Sequence, residues 1–260
     1  MKKLNDYFWI WGHPTNSLYN HYGITKESDC SPVDGAKYLG AKNVYFVPMY
    51  KPFDRAIETD RAKDMNGVMW SIEDVRLFPE KLNAVISLSK VYKNIKGIIF
   101  DDFFNCEHKY NNYLNYTLEM LNDYKEKLHQ AGLEMWVVLY TKIFRRELDL
   151  DTVKKYVDVF DGVSLWFWDE DEVMESYDEC LKVLFDIAPT QKKMLGCYLY
   201  DFGGEKSAKA SVVLKQLNSA KELIKQNKID GVILHTNAII TDDYIEAVDA
   251  CKKWLETESL

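Results

Sequence analysis

The sequence predicts an α/β chain folded as a single (β/α)8 barrel, and three observations lead to this fold class. The chain has 260 residues, which is the usual length of such a barrel. Eight short runs rich in Val, Ile, Phe, Tyr and Trp recur along it, separated by segments with helical patterning. Most of these runs are apolar on both faces, as expected of parallel strands covered by helices. We therefore expect one barrel domain over residues 1–260.

The eight predicted strands lie about 24 to 37 residues apart, centre to centre, which is the spacing of one strand plus one crossover helix. They cover residues 7–13, 43–50, 67–73, 97–104, 134–141, 162–169, 194–201 and 231–237. A closed barrel fits this succession better than an open dinucleotide-binding sheet, because Gly12 and the residues after it contain no G-x-G-x-x-G turn.

The segments between the strands carry helix start and stop signals. Ser31 followed by Pro32 is typical of a helix N-terminus, and Gly40 of the end of the same helix. Gly132 is expected to end another helix, whose apolar stripe begins at Tyr113. The segment 53–65 is mostly charged, so we expect it to be partly loop.

Composition and charge exclude several classes of protein. Hydrophobic residues make up 47% of the chain, with 12 Gly and 6 Pro, so a sizeable core can form and disordered or fibrous structures are excluded. The 33 Lys and Arg against 41 Asp and Glu give a net charge of -8, so no overall basic field can hold a phosphate backbone. We therefore expect no nucleic-acid partner.

The N-terminal residues and the cysteines bear on the compartment. The apolar run after the first lysines is too short for a secretory signal, and no stretch approaches the roughly 20 apolar residues of a membrane span. The five cysteines are scattered and form no C-x-x-C pair, which favours reduced thiols. We therefore expect a cytoplasmic protein with no membrane partner.

In a barrel of this kind, the active site forms at the C-terminal ends of the strands and in the loops that follow them. At these ends carboxylates, aromatic rings and histidines recur, whereas apolar residues dominate the strand starts. The residues concerned are Trp9, Trp11, His13, Tyr50, Ser71, Glu73, Asp101, Asp102, Tyr140, Trp166, Trp168, Asp169, Tyr198, Tyr200, Asp201, His235 and Asn237. This asymmetry is typical of a functional face.

The most informative residues are Asp101 and Asp102, two adjacent carboxylates that close an apolar strand. Holding both charges in a partly buried barrel mouth is costly, because each loses water and repels the other. Chemistry can offset this cost, since such a pair can keep one group as a proton donor while its neighbour stays anionic. The alternative is that one of the two caps the following helix or binds loop amides.

The run Phe100-Asp101-Asp102-Phe103 at the end of the fourth strand resembles the Asp-Asp pair of barrel glycoside hydrolases of the O-GlcNAcase and hyaluronidase-like type. More loosely, it is similar to the acid-bearing fourth strand of chitinase-like barrels, although the D-x-x-D-x-D-x-E run of those enzymes is absent. The resemblance implies that Asp101 orients the N-acetyl group of the substrate and that Asp102 is the general acid/base.

Aromatic residues at the strand ends suggest sugar binding, in which flat rings contact the C–H faces of the sugar and polar groups bind its hydroxyls. Two W-x-W pairs, Trp9 with Trp11 and Trp166 with Trp168, each place both rings on one face of a strand; layered barrel core is the alternative. The predicted binding surface comprises Trp11, His13, Tyr140, Trp166, Trp168, Tyr200, His235 and Asn237. Since eight units leave little room for insertions, we expect short loops and a small saccharide or glycoside as ligand.

A two-carboxylate mechanism needs a partner for Asp102, the predicted acid. Asp101 could serve if the sugar's own acetamide were the nucleophile, and the other candidates are Asp201, Asp169 and Glu73. Asp201 is preferred across the barrel because two glycines follow it closely and free its loop to approach a ligand; a turn aspartate ahead of those glycines is the alternative. The predicted catalytic set is Asp102, Asp101, Asp201 and Glu73.

Two other functions stay open. A barrel that binds saccharides without catalysis would keep the aromatic surface, and a metal-dependent isomerase or hydrolase could use His13, Glu73, Asp102 and His235 as ligands. Against a metal, the first strand has no H-x-H and the chain has five histidines in all. The chain also lacks a G-x-S-x-G and a Walker A motif, and the nearest strand-end lysine, Lys142, is one step into a loop. We expect no metal and no cofactor.

Overall fold

The computed structural model describes residues 3–72, 74–105, 112–144 and 148–260. Eight parallel strands close into a barrel in which each strand pairs with its neighbours in chain order and the last pairs with the first. The strands are β1 (Phe8–Gly12), β2 (Asn43–Phe46), β3 (Gly67–Ser71), β4 (Ile95–Phe100), β5 (Glu134–Tyr140), β6 (Gly162–Trp166), β7 (Lys192–Tyr198) and β8 (Gly231–His235). The predicted fold class, a (β/α)8 barrel, is confirmed.

Helices follow the strands and pack against them. They are α1 (Pro32–Leu39), α2 (Arg55–Arg61), α3 (Phe78–Val91), α4 (Leu118–Gln130), α5 (Leu150–Val157), α6 (Glu170–Glu175), α7 (Tyr177–Ile187), α8 (Ala210–Lys225) and α9 (Ile245–Thr257). The predicted helix start and end signals are present at α1 and α4. The Ser31 side chain accepts a hydrogen bond from the Asp34 N–H, while Gly40 and Gly132 adopt φ of 83° and 72° after their helices, where a Cβ would be strained.

The charged segment 53–65 is partly loop, as its composition predicts, and contains one short helix. The Asp54 side chain accepts hydrogen bonds from the N–H groups of Ala56 and Ile57 and so caps α2. The helix ends at Arg61, and the residues that follow lead into β3. The segment therefore combines one short helix with flanking turns.

Several strands end earlier than the sequence predicts. β4 ends at Phe100, so Asp101 and Asp102 lie in the turn that follows, and β6 ends two residues before Trp168. β7 ends at Tyr198, and the next residues, Tyr200–Asp201, pair antiparallel with Lys206–Ser207 in a small ribbon. The backbone thus changes direction before several of the predicted site residues, and this decides which of them face the barrel mouth.

The inside of the barrel is filled with large aromatic side chains. Trp136 and Trp166 are 2% exposed, and each lies against a glycine of a neighbouring strand. A Cβ built on Gly162 would come within 2.4 Å of the Trp136 ring, and one built on Gly196 within 2.1 Å of the Trp166 ring. These two glycines are required by close packing, since no larger side chain leaves room for the indoles. Trp70 and Trp254 are also buried.

The loop between β1 and α1 is long. It runs from residue 13 to residue 31, so the expectation of uniformly short loops is wrong at this position. The loop is held by its own contacts: the Ser28 N–H donates to the Asn16 side chain at 2.6 Å, and the Asn16 N–H donates to the Ser28 carbonyl at 3.0 Å. It supplies residues to the barrel mouth that strand periodicity does not reveal.

Two further findings concern membrane crossing and the cysteines. Within the described ranges, no helix combines the length and apolar character that a membrane crossing requires. Cys180, Cys197 and Cys251 are buried and Cys30 is half-buried, and no disulfide links the cysteines of this part of the chain; Cys106 lies outside the described residues.

Candidate active site

A cavity of about 350 Å³ opens at the C-terminal end of the barrel. Its walls come from the ends of five strands, β1, β5, β6, β7 and β8, and from the loops that follow β1, β2, β4, β5, β6 and β7. This is where active sites of this fold form. The lining residues are Trp11, His13, Tyr22, Met49, Asp101, Asp102, Asn105, Tyr140, Lys142, Trp166, Trp168, Tyr198, Phe202 and His235. Eight residues of the predicted site therefore meet in one cavity.

Asp101 and Asp102 are both half-buried in the cavity wall. Oδ1 of Asp101 accepts a hydrogen bond from the Asp102 N–H at 2.9 Å and from the Tyr140 hydroxyl at 3.4 Å. Asp102 has φ of 51°, a left-handed backbone that few residues other than glycine adopt. The strained turn holds the two carboxylates side by side at the barrel mouth, and strain of this kind is common at functional sites.

Three phenols surround the aspartate pair. Burial raises the pKa of Tyr140 and Tyr198 well above the ordinary value, and the negative charges of Asp101 and Asp102 raise both further. The pKa of Tyr22 is raised by the same two causes and by its contact with Tyr50. All three hydroxyls therefore stay protonated at neutral pH, so they can donate hydrogen bonds to carboxylates or to a ligand.

Aromatic rings form the floor and one wall of the cavity. The Trp11 and Trp166 rings meet edge to face with centroids 5.1 Å apart, and the Trp166 indole N–H donates to Ser164 Oγ at 3.0 Å. Trp168 is half-buried higher in the cavity, 6.1 Å from the Tyr198 ring. The W-x-W pair of β6 thus has one buried member and one member accessible to a ligand.

The first W-x-W pair is split between the two ends of the barrel. Trp11 lines the C-terminal cavity, whereas Trp9 lines a second cavity of about 430 Å³ together with Trp136 and Glu134. In that cavity, the Trp136 indole N–H donates to Glu134 at 2.9 Å, and Asp230 accepts from the Lys193 N–H at 2.8 Å. Because active sites of this fold form at the C-terminal ends of the strands, the C-terminal cavity with its aspartate pair is the stronger candidate for chemistry.

His13 and His235 form a buried pair at the base of the cavity. Nδ1 of His13 lies 2.9 Å from the Val47 carbonyl, and Nε2 of His13 lies 3.3 Å from Nε2 of His235. A carbonyl can only accept, so Nδ1 of His13 carries the proton, and the His235 Nε2–H donates to His13. Burial lowers the pKa of His13 to about 4 and that of His235 well below its ordinary value. Both rings are therefore neutral at pH 7.

Three residues of the predicted site do not line the cavity: Asp201, Tyr200 and Asn237. Asp201 is 4% exposed, accepts from the Gly204 N–H at 3.0 Å and lies 3.4 Å from Lys206 Nζ. These contacts belong to a turn aspartate, which was the alternative to a catalytic role. The Tyr200 hydroxyl donates to the Tyr22 carbonyl at 2.9 Å, and its ring packs against neighbouring aromatic rings. The reason is that the ribbon after β7 turns both side chains away from the mouth.

Asn237 links backbone segments instead of lining the cavity. It is fully buried, its Oδ1 accepts from the His13 N–H at 2.8 Å, and its Nδ2 donates to the carbonyls of His13 at 2.9 Å and Cys30 at 2.7 Å. The amide thereby ties the start of the β1 loop to the end of β8. Asp169 caps α6 by accepting from the Glu172 N–H at 2.8 Å. Glu73 lies outside the described residues.

Several residues that line the cavity were not among those predicted from the strand ends. Tyr22 comes from the long β1 loop, Phe202 from the ribbon and Asn105 from the turn after β4, and no periodic pattern marks any of them. Lys142 follows β5 closely and is half-buried, with Nζ 5.6 Å from the Tyr140 ring centroid. A search that included the two residues after each strand would have found Lys142. Tyr22 could be found only from the folded conformation of the β1 loop.

In the part of the chain that the structure describes, no group of three or more His, Cys, Asp and Glu side chains is arranged to hold a metal ion. Of the four predicted alternative ligands, His13, Asp102 and His235 line the cavity, and the two histidine nitrogens that face each other are occupied by their mutual contact.

Comparisons with known proteins bear on the fold. No family model matches the chain, and no curated protein matches it. Among solved structures, it is similar to a putative alpha-L-fucosidase from Bacteroides thetaiotaomicron, with 11% identity, a TM-score of 0.60, and coverage of 99% of this chain and 98% of that one. It is also similar to a chitinase from Chromobacterium violaceum, with 12% identity, a TM-score of 0.56, and coverage of 95% and 98%.

The structural neighbours also include a tryptophan synthase from M. tuberculosis, with 8% identity, a TM-score of 0.53, and coverage of 96% of this chain and 90% of that one. At identities this low, the likeness shows a shared fold. The chain is a (β/α)8 barrel protein, and its structural neighbours include glycoside hydrolases alongside enzymes of other classes.

Proposed function

We propose that this protein is a glycoside hydrolase that acts on a small saccharide in the C-terminal cavity. The observation that carries the proposal is the meeting of two adjacent aspartates with a half-buried tryptophan and several phenols in one cavity of about 350 Å³. Carboxylates supply the acid/base chemistry of glycosidic bond cleavage, and flat rings with hydroxyl groups suit a sugar. Similarity to a chitinase and to a putative fucosidase is consistent with this function.

Asp102 is assigned as the general acid and Asp101 as the orienting carboxylate. Oδ1 of Asp101 is engaged by the Asp102 N–H and the Tyr140 hydroxyl, and both donors stabilise its anionic form. An anion held in this way suits polarisation of a substrate group rather than proton transfer. Asp102, which lies next to Asp101 in the wall of the same cavity, is assigned the exchange of a proton with the leaving oxygen.

The second carboxylate decides the mechanism. Among the described residues that line the cavity, the acids are Asp101 and Asp102, and Asp201 has protein partners elsewhere. This arrangement favours the scheme in which the substrate's own acetamide attacks its anomeric carbon while Asp101 orients that amide. The proposed substrate is therefore a 2-acetamido sugar glycoside, held by Trp168, Tyr140 and Nδ1 of His235, the nitrogen of that ring outside the contact with His13.

The test uses a panel of aryl glycosides of both anomers, with and without a 2-acetamido group. We expect hydrolysis of a 2-acetamido substrate by the wild type, and a loss of kcat/KM of roughly 100- to 10,000-fold in Asp102→Asn. Asp123→Asn, on the exposed side of α4, is the matched control and should retain wild-type kinetics.

Each outcome of this test is informative. Full activity in Asp102→Asn would remove that residue from the mechanism. Equal rates on substrates with and without the acetamide would exclude the substrate-assisted scheme and return attention to Glu73. Thermal stabilisation by saccharides, without turnover of any glycoside in the panel, would favour the non-catalytic binding barrel.

A further inference from the structure

Three aromatic side chains form a lip beside the cavity: His21 and Tyr22 of the β1 loop and Tyr50 of the β2 loop. The rings of His21 and Tyr50 are stacked, with centroids 3.8 Å apart and an angle of 7° between their planes. The hydroxyls of Tyr22 and Tyr50 lie 3.5 Å apart. Since Tyr22 and Met49, the neighbour of Tyr50, both line the cavity, the lip continues the cavity wall outward.

Two residues of the lip, Tyr22 and Tyr50, have strained backbone conformations. Tyr22 and Tyr50 have φ of 51° and 55°, in the left-handed region that side chains other than glycine rarely adopt. The Lys51 N–H donates to the Met49 carbonyl at 2.6 Å, which makes a tight turn with Tyr50 at its tip. Such strain persists where surrounding contacts enforce it, and it is found most often at functional sites.

Contacts between loops keep the lip in place before any ligand arrives. The Tyr200 hydroxyl donates to the Tyr22 carbonyl at 2.9 Å, and Lys51 Nζ donates to the Thr15 carbonyl at 3.3 Å. The Tyr22 ring packs edge to face on Phe202 with centroids 5.4 Å apart. A platform ordered in this way costs little conformational entropy when it binds a ligand.

Burial does not explain why Tyr50 takes this position. Its side chain is 59% exposed, so a large ring is kept largely in water on a strained turn, where a small polar residue would be less costly. The outward faces of the stack are flat, and the hydroxyls of Tyr22 and Tyr50 lie beside them. This combination of a flat apolar face with adjacent hydroxyl groups matches one sugar ring.

We propose that the aromatic lip is a second saccharide-binding subsite, which takes the next sugar ring of an oligosaccharide whose terminal unit occupies the cavity. The inference rests on the proposed function, because it assumes that the cavity holds a sugar. The cavity volume of about 350 Å³ is near the lower end for ligand pockets, so a longer ligand must extend beyond it. The lip lies where such a ligand leaves the cavity.

The experiment measures binding by isothermal titration calorimetry with the full chain. The probes are tri-N-acetylchitotriose and cellotriose, each compared with its monosaccharide, N-acetylglucosamine or glucose. The wild type should bind a trisaccharide more tightly than its monosaccharide. In Tyr50→Ala, the ratio of the two affinities should fall roughly tenfold, which is the loss of one aromatic contact, while Tyr50→Phe should keep most of the ratio because it keeps the ring.

The control variant is Tyr38→Ala, which removes another exposed tyrosine, 40% exposed on α1 and away from the cavity. Its affinity ratio should equal that of the wild type, and circular dichroism should show that every variant is folded. An unchanged ratio in Tyr50→Ala, or a wild type that binds neither trisaccharide, overturns the subsite. If a trisaccharide binds through Tyr50 but no glycoside in the panel is hydrolysed, the subsite stands and the proposed hydrolase activity fails.

Discussion

Acidification should destabilise this protein through His13. The His13 imidazole is 2% exposed, donates from Nδ1 to the Val47 carbonyl and faces His235 through Nε2. Protonation of His13 at Nε2 would place a charge next to a second buried imidazole. It would also remove the nitrogen that accepts the hydrogen bond from His235. Burial accordingly lowers the pKa of His13 from 6.5 to about 4, so folding favours the neutral ring.

The magnitude follows from the difference between the two pKa values. At about 1.4 kcal/mol per pH unit, a fall from 6.5 to about 4 corresponds to about 3 kcal/mol in the free energy of unfolding. The folded state binds fewer protons than the unfolded chain in this interval. The full stability is therefore present above pH 6.5, and about 3 kcal/mol of it is lost progressively as the pH falls from 6.5 to about 4. His235, whose pKa is lowered by burial and by His13, adds in the same direction.

The assay is urea denaturation followed by tryptophan fluorescence, at intervals between pH 7 and pH 4. Carboxylates titrate over the lower part of this range, so the comparison is between the wild type and His13→Gln, which cannot titrate at this position. The free energy of unfolding of the wild type should fall by about 3 kcal/mol more than that of the variant.

Asn237→Ala is the matched control for this measurement. It removes the hydrogen bonds between Asn237 and the His13 backbone but keeps the imidazole. This variant should be less stable than the wild type by about 3 kcal/mol at every pH, because buried backbone groups lose their partners, and it should keep the wild-type pH dependence. Parallel curves for the wild type and His13→Gln between pH 7 and pH 4 would refute the reasoning.

Two further predictions concern packing and catalysis. Gly196→Ala places a Cβ 2.1 Å from the Trp166 ring, so it should lower the free energy of unfolding by about 1 to 3 kcal/mol in urea denaturation; a fully stable variant would show that the indole can move aside. Tyr140→Phe removes the hydroxyl that donates to Asp101, so kcat on a hydrolysed aryl glycoside should fall roughly tenfold with a smaller change in KM. A change confined to KM would assign Tyr140 to substrate binding alone.

Local patterns were enough to predict the eight strands and most of the residues that line the C-terminal cavity. Strand formation depends on short apolar runs and helix ends depend on capping residues, and both are visible within a few positions of the chain. Parallel strands in a closed barrel end on one side, so Asp101, Tyr140, Trp166 and His235 were expected to meet, and they line one cavity. These residues lie at strand ends or one step beyond, where the strand still sets the side-chain position.

Positions further past the strand ends could not be predicted in the same way. Asp201 and Tyr200 follow β7 by only a few residues, but the ribbon that begins there turns them toward Lys206 and the Tyr22 carbonyl. Tyr22 reaches the cavity from the middle of a long loop. In both cases the side chain is oriented by turn geometry and by contacts with distant residues. Turn geometry and long-range contacts leave no periodic pattern in the sequence.

The sequence by itself determined the barrel and the placement of acids and aromatic rings at its C-terminal end, because strand and helix periodicities are local and barrel closure follows from them. Only the tertiary structure decided which of those side chains share the cavity, that Asn237 is a structural tie, and that His13 and His235 are neutral. These properties arise from burial and from hydrogen bonds between residues more than 200 positions apart, such as His13 and Asn237, which no local pattern encodes.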